Sequence, residues 1–152
     1  MTEKIGLAPG SAIYTGDVEF SAPDIHAISY NKDNVTADEH QSFEQLRETY
    51  NSLDGEKTFW THVEPISDQE SIAKIGSLFD LHSLVVEDML SVKHRPKTEE
   101  FDDYIFIVIK YAEYSNSELS FSHISLILKG DALLSFADKT PDKFENIKKR
   151  LE

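Results

Sequence analysis

Residues 79–110 read FDLHSLVVEDMLSVKHRPKTEEFDDYIFIVIK, and this stretch decides the fold. Its first part predicts a short helix over Ser83–Leu90. At about 100° per residue, Val85, Val86, Met89 and Leu90 fall on one side, and Glu87 and Asp88 lie on the opposite face. Two carboxylates near a helix C-terminus oppose the helix dipole, so a nearby cation would offset their charge. Pro96 then stops helical structure. The apolar run at residues 104–109 is hydrophobic at both parities, which predicts a central strand covered on both faces.

Outward from this stretch, the patterns alternate between strand and helix. On the N-terminal side, a short strand is expected at residues 12–14, and residues 25–30 alternate as a half-buried strand. Thr36-Ala37-Asp38-Glu39 fits a capping box, followed by Phe43, Leu46 and Tyr50 at helical spacing. Asp54-Gly55 marks a turn, and Thr58–Glu64 reads as a strand. A second capping box, Ser67-Asp68-Gln69-Glu70, opens a helix with Ile72, Ile75, Gly76 and Phe79 on one stripe.

On the C-terminal side, strands at residues 121–128 and 132–136 meet through Lys129-Gly130-Asp131, where Gly and Asp tolerate positive φ. With the run at 104–109 they make an antiparallel meander. Thr140-Pro141 opens a last helix with Phe144, Ile147 and Leu151 as its apolar stripe. The predicted order is β-β-α-β-α-α-β-β-β-α. Such alternation gives a layered α/β/α sandwich with a mixed, partly antiparallel central sheet.

Composition narrows the function. The chain has 152 residues, the size of one domain, and carries 15 Lys+Arg against 28 Asp+Glu, a net charge of −13. That charge argues against nucleic-acid binding, which needs a basic surface, and favours cations as partners. Without cysteine there is no disulfide framework, thiolate nucleophile or Cys-based zinc site. The longest uncharged apolar run, residues 104–109, is far short of the roughly 20 residues of a membrane-spanning helix. The chain stops one residue after Leu151 with no glycine cap, so it is expected to be cut within a longer protein.

Candidate chemistry concentrates in the acidic residues. No Walker loop, dinucleotide fingerprint or nucleophile elbow is present, so no catalytic residue is expected. His62 and Glu64, two apart on a strand, share one face and could touch one ion, or could be surface residues of a half-exposed strand. Glu87 and Asp88 are the principal metal-ligand candidates, with Glu99, Glu100, Asp102 and Asp103 around Phe101 as weaker ones. Hard divalent cations take oxygen ligands, and Mg²⁺ often uses only one or two carboxylates plus waters. The same pattern also fits a solvated face with ion pairs worth roughly 0–1 kcal/mol each. Spacing leaves both open.

The text of the stretch is more specific than its chemistry. F-D-L-H-S-L-V-V-E-D-M-L, then H-R-P-K, then E-E-F-D-D-Y and an apolar strand ending in Lys110, closely resembles the signature of the N-terminal cytosolic domain of CorA-type magnesium transporters. Pro9-Gly10 with Tyr14-Thr15-Gly16 is similar to the family's opening motif, and Trp60 stands where the family often has Trp. Ser83 and His94 depart from the usual Pro and Gln.

The resemblance implies a metal-sensing domain of a pentameric divalent-cation channel for Mg²⁺, with Co²⁺ and Ni²⁺ also carried, at the cytoplasmic face of the membrane. It implies that Glu87 and Asp88 help bind regulatory Mg²⁺ between subunits. Asp88 is the inter-subunit ligand, and its partner acid lies on a stalk helix that this chain lacks. Arg95, Pro96 and Lys97 become a structural connector. Two alternatives stand beside it: a zinc transporter of the ZntB type, disfavoured by the lack of soft ligands, and a soluble metal-dependent hydrolase built on the acids around Phe101.

Overall fold

Seven strands form one mixed sheet in the order β2-β1-β3-β7-β6-β5-β4. The computed structural model describes residues 12–39, 41–139 and 144–151. The strands are β1 (Asp24–Tyr30), β2 (Val35–Asp38), β3 (Thr58–Glu64), β4 (Lys97–Glu100), β5 (Ile105–Ser115), β6 (Glu118–Lys129) and β7 (Ala132–Ala137). The helices are α1 (Phe43–Asn51), α2 (Gln69–Leu78), α3 (Ser83–Leu90) and α4 (Glu145–Leu151). Among the described residues, only β3 and β7 pair in parallel, and every other neighbouring pair is antiparallel. The meander β5-β6-β7 forms as expected, with Gly130 at φ 55° in the predicted turn between β6 and β7. Gly55, at φ 77°, likewise sits in the turn before β3.

The two faces of the sheet separate at β3. Phe59 points to the side of Tyr50 (α1) and Phe79 (end of α2), with ring centroids 5.7 and 6.4 Å away. Its neighbour Trp60 points to the other side, where Phe144, just before α4, meets it edge-on at 5.7 Å. Helices α1–α3 therefore cover one face and α4 lies on the other, which is the layered α/β/α arrangement. The first interface is the main apolar core, holding Leu46, Ile72, Ile75, Phe79, Met89, Leu90, Phe106 and Phe136. The stripe Ile72, Ile75, Gly76 and Phe79 is buried as its spacing predicts. A Cβ on Gly76 would lie 2.6 Å from Val86 Cγ2, so the missing side chain lets α2 and α3 approach closely.

The structure corrects several local expectations. Residues 12–14 form no strand. Residues 35–38 are not a helix cap but the edge strand β2, in register with β1. The cap of α1 is Ser42, which accepts from Gln45 N while the Gln45 side chain accepts from Ser42 N. That box directly precedes the periodic run and so competes better than Thr36. The cap of α2 is Asp68, one residue later than expected, because the Ser67 hydroxyl is occupied by the backbone of Ser21. The segment K-T-E-E, which joins the end of the expected connector to the candidate acids Glu99 and Glu100, is the edge strand β4.

Strand β5 is second from the edge rather than central. Phe106 and Val108 are buried, but Ile109 is 36% exposed and Ile105 and Ile107 are only half-buried. The strands buried on both faces are β3 and β7. Their polar residues concealed this, because each finds a hydrogen bond inside: Thr61 Oγ1 donates to His26 O at 2.9 Å, for example. In α4 the expected stripe holds at Phe144, which packs on Trp60 and His62, and at the half-buried Leu151, but not at Ile147. Ile147 is 50% exposed while Lys148 is buried, so the helix lies on its 144/148 row. Thr140 and Pro141 lie outside the described residues.

Candidate metal-binding site

Helix α3 is fixed at both ends before its carboxylates are considered. At its start, His82 Nδ1 accepts from Leu84 N at 3.1 Å, so the histidine serves as the cap. The His82 N–H donates to the Tyr104 hydroxyl, also at 3.1 Å. Phe101 stacks on Tyr104 with centroids 4.6 Å apart, and on the His82 ring at 6.4 Å. The aromatic residues around the acidic run thus pin the start of α3 to the sheet. At its end, Leu90 O accepts from Thr15 N at 3.0 Å. Just beyond, Val92 O accepts from the Lys110 ammonium.

Lys110 also approaches His123 Nδ1 at 3.3 Å, and His123 Nε2 lies 3.1 Å from Ser125 Oγ. Burial, with the Lys110 charge beside it, pushes the His123 pKa down to about 3. Burial likewise lowers Lys110 and raises Asp138, whose Oδ1 accepts from His123 N at 2.7 Å.

Between these anchors, Glu87 and Asp88 are half-buried on the side of α3 away from its core residues, as the helical wheel predicts. Asp88 is not open to solvent cations alone. Its Oδ2 lies 2.6 Å from Lys97 Nζ and its Oδ1 lies 3.6 Å from His94 Nδ1. Lys97, the first residue of β4, also reaches Glu99 Oε1 at 3.1 Å and lies 5.6 Å above the Phe106 ring. Burial works against the Lys97 charge, but its hydrogen bonds to Asp88 and Glu99 outweigh it and raise the pKa.

The fold therefore joins Asp88 and Glu99 through one ammonium and leaves the other acids apart. Glu100 and Asp102 are exposed, and Asp103 pairs with Lys129 at 2.7 Å. Among the described residues, no group of three or more His, Asp or Glu side chains is placed to hold a metal ion. Asp102 and Asp103 sit in a turn rather than a strand and do not converge. The donors present on α3 and β4 are carboxylate oxygens, the chemistry a hard divalent cation takes.

A second polar cluster was only partly foreseen. His62 and Glu64 do share a face, with His62 Nε2 3.2 Å from Glu64 Oε2, but they are buried rather than on the surface. His62 Nδ1 lies 2.8 Å from Ser135 Oγ, which also accepts from Trp60 Nε1 at 2.9 Å. A Ser–His–carboxylate chain serves nucleophilic catalysis when the hydroxyl faces substrate. Ser135 is fully buried and takes the indole N–H, so here the chain ties β3 to β7. Ser135 gave no sequence signal, because its partners lie more than 70 positions away.

Comparison with known proteins adds the following. Residues 55–152 match the family described as CorA-like Mg²⁺ transporter protein. The cobalt/magnesium transport protein CorA of Thermotoga maritima is 31% identical over 162 aligned positions, covering 99% of this chain. The chain spans 42% of that relative's length. The complete CorA magnesium transporter of Methanocaldococcus jannaschii superposes with a TM-score of 0.56 at 17% identity, over 82% of this chain and 36% of the other. The ZntB cytoplasmic domain of Vibrio parahaemolyticus gives 0.60 at 14% identity, over 86% and 50%. At such identities these two structures establish the fold alone.

Proposed function

Because the chain belongs to the CorA-like Mg²⁺ transporter family, we propose that it is the cytosolic sensor part of a divalent-cation channel and that it responds to intracellular Mg²⁺ through Asp88. The observation that carries this reading is the placement of Asp88: half-buried on the side of α3 away from its core residues, next to Glu87, on a helix pinned at both ends.

In this reading the full-length protein is a pentamer that conducts Mg²⁺, with Co²⁺ and Ni²⁺ also carried. Mg²⁺ bound between neighbouring sensor domains favours the closed arrangement. Asp88, assisted by Glu87, supplies one side of the site. An acidic residue of the adjacent subunit, outside this chain, supplies the other. Each domain carries −13, so five of them repel at close range, and a divalent cation between them offsets that repulsion. The ion shifts the equilibrium by the difference between its affinities for the closed and open arrangements. The domain lies at the cytoplasmic face of the membrane, and no helix among the described residues is long and apolar enough to cross it.

The test is Asp88→Ala in the full-length parent. Its Mg²⁺ current should persist at intracellular Mg²⁺ concentrations that close the wild-type channel. Closure at an unchanged concentration would remove Asp88 from the gating site.

A further inference from the structure

We propose that Lys97 is a tethered counter-cation that occupies the Asp88 carboxylate and must be displaced before a divalent ion binds there. This rests on the reading of Asp88 as a metal ligand. The ammonium touches Asp88 Oδ2 at 2.6 Å, and the imidazole of His94 stands 3.6 Å from Oδ1. Both oxygens of Asp88 thus already face nitrogen atoms. A hard divalent cation needs those same oxygens, so ion and ammonium compete for one position.

The competition is intramolecular. Lys97 is only nine residues from Asp88 and is held beside it by the pairing of β4 with β5, so an incoming ion must displace a partner that is always at hand. The divalent concentration needed to occupy Asp88 is thereby raised.

Displacement does not require β4 to leave the sheet. Lys97 keeps a second carboxylate, Glu99, at 3.1 Å and the face of Phe106 beneath it. Rotation of the chain end is enough to move the charge from Asp88 to Glu99. Glu99 is then the resting place of the released ammonium rather than a metal ligand, and Lys97 is a regulator of the site rather than a simple connector.

The test uses Mn²⁺ as the probe, with binding to this chain read from the electron paramagnetic resonance of the free ion. Wild type, Lys97→Met, Asp88→Asn and the double variant are compared. Met keeps the apolar stem and removes the charge. Lys97→Met should bind Mn²⁺ at least about tenfold more tightly, because a close positive charge and competitor is gone. Asp88→Asn should weaken binding in the wild-type background and erase the gain in the double variant.

If Lys97→Met binds no better than wild type while Asp88→Asn still weakens wild-type binding, Asp88 remains a ligand and the displacement idea is wrong. If Asp88→Asn changes nothing in either background, the reading of Asp88 itself fails and takes this inference with it. A second measurement needs no Lys97 variant. In wild type, the ¹³Cε–¹Hε signal of Lys97 should move with MgCl₂ in step with the amides of α3. A Lys97 signal that stays still while those amides shift overturns the proposal.

Discussion

Phe79→Ala should lower the free energy of unfolding by about 3–5 kcal/mol, read from urea melts at neutral pH. Phe79 is 1% exposed and closes α2. Its ring lies 4.5 Å from Tyr50 and 6.4 Å from Phe59, so one side chain joins α1, α2 and β3. Truncation removes the transfer free energy of a buried phenyl ring and leaves a void that three separate elements cannot all close. Phe79→Leu retains most of the volume and should cost under about 1.5 kcal/mol. A loss below about 1 kcal/mol for the alanine variant would show that the aromatic trio collapses into the gap and does not hold the helical layer. The consequence reaches the site, because α3 packs on α2 through Val86 and Gly76.

Acidification should destabilise the fold through His123. An ordinary histidine gains its proton near pH 6.5, whereas the folded chain keeps His123 neutral down to about pH 3. Between these values the unfolded state holds one more proton than the folded state. Stability contributed by this group is therefore full above about pH 6.5 and falls as pH falls through the window. By pH 5 the loss is on the order of 2 kcal/mol.

The groups facing His123 are the Lys110 ammonium, the Ser125 hydroxyl and, at longer range, His94. Asp138 works in the opposite sense. Burial raises its pKa, so the folded state takes up that proton first and gains stability as pH falls through the carboxylate range. Its effect falls in the acid part of the His123 window and offsets some of the loss there. Urea midpoints at pH 7 and pH 5 check this, compared between wild type and His123→Gln. The drop should be clearly smaller in the variant, and an identical drop in both would assign the acid sensitivity to other groups.

Residues 79–110 carried most of what was legible. The bounds of α3, its buried side and the outward placement of Glu87 and Asp88 all follow from a 3.6-residue period in a short, strongly apolar segment. The meander was legible because Gly130 marks its turn. Strands β2 and β4 were not, since V-T-A-D is four exposed residues long, K-T-E-E carries no apolar residue, and both gain their pairing from the neighbouring strand.

The centre of the sheet was misplaced for a related reason. Hydrophobicity at both parities marked β5, but half of its outer face is open, while β3 and β7 bury Thr61, His62 and Ser135 by satisfying them internally. Around Asp88, its position on α3 was legible and its environment was not. Lys97 reaches Asp88 only because β4 folds back beside α3, a tertiary fact that no local spacing encodes.

The central claim, that Asp88 binds Mg²⁺, is tested most directly by the melting temperature of this chain in millimolar MgCl₂ against NaCl at matched ionic strength. A ligand that binds the folded state raises its stability by mass action. Wild type should melt higher in MgCl₂, and Asp88→Ala should lose most of that difference. An equal gain in the variant would contradict the claim, because the effect would then be diffuse screening of the −13 net charge and not a site.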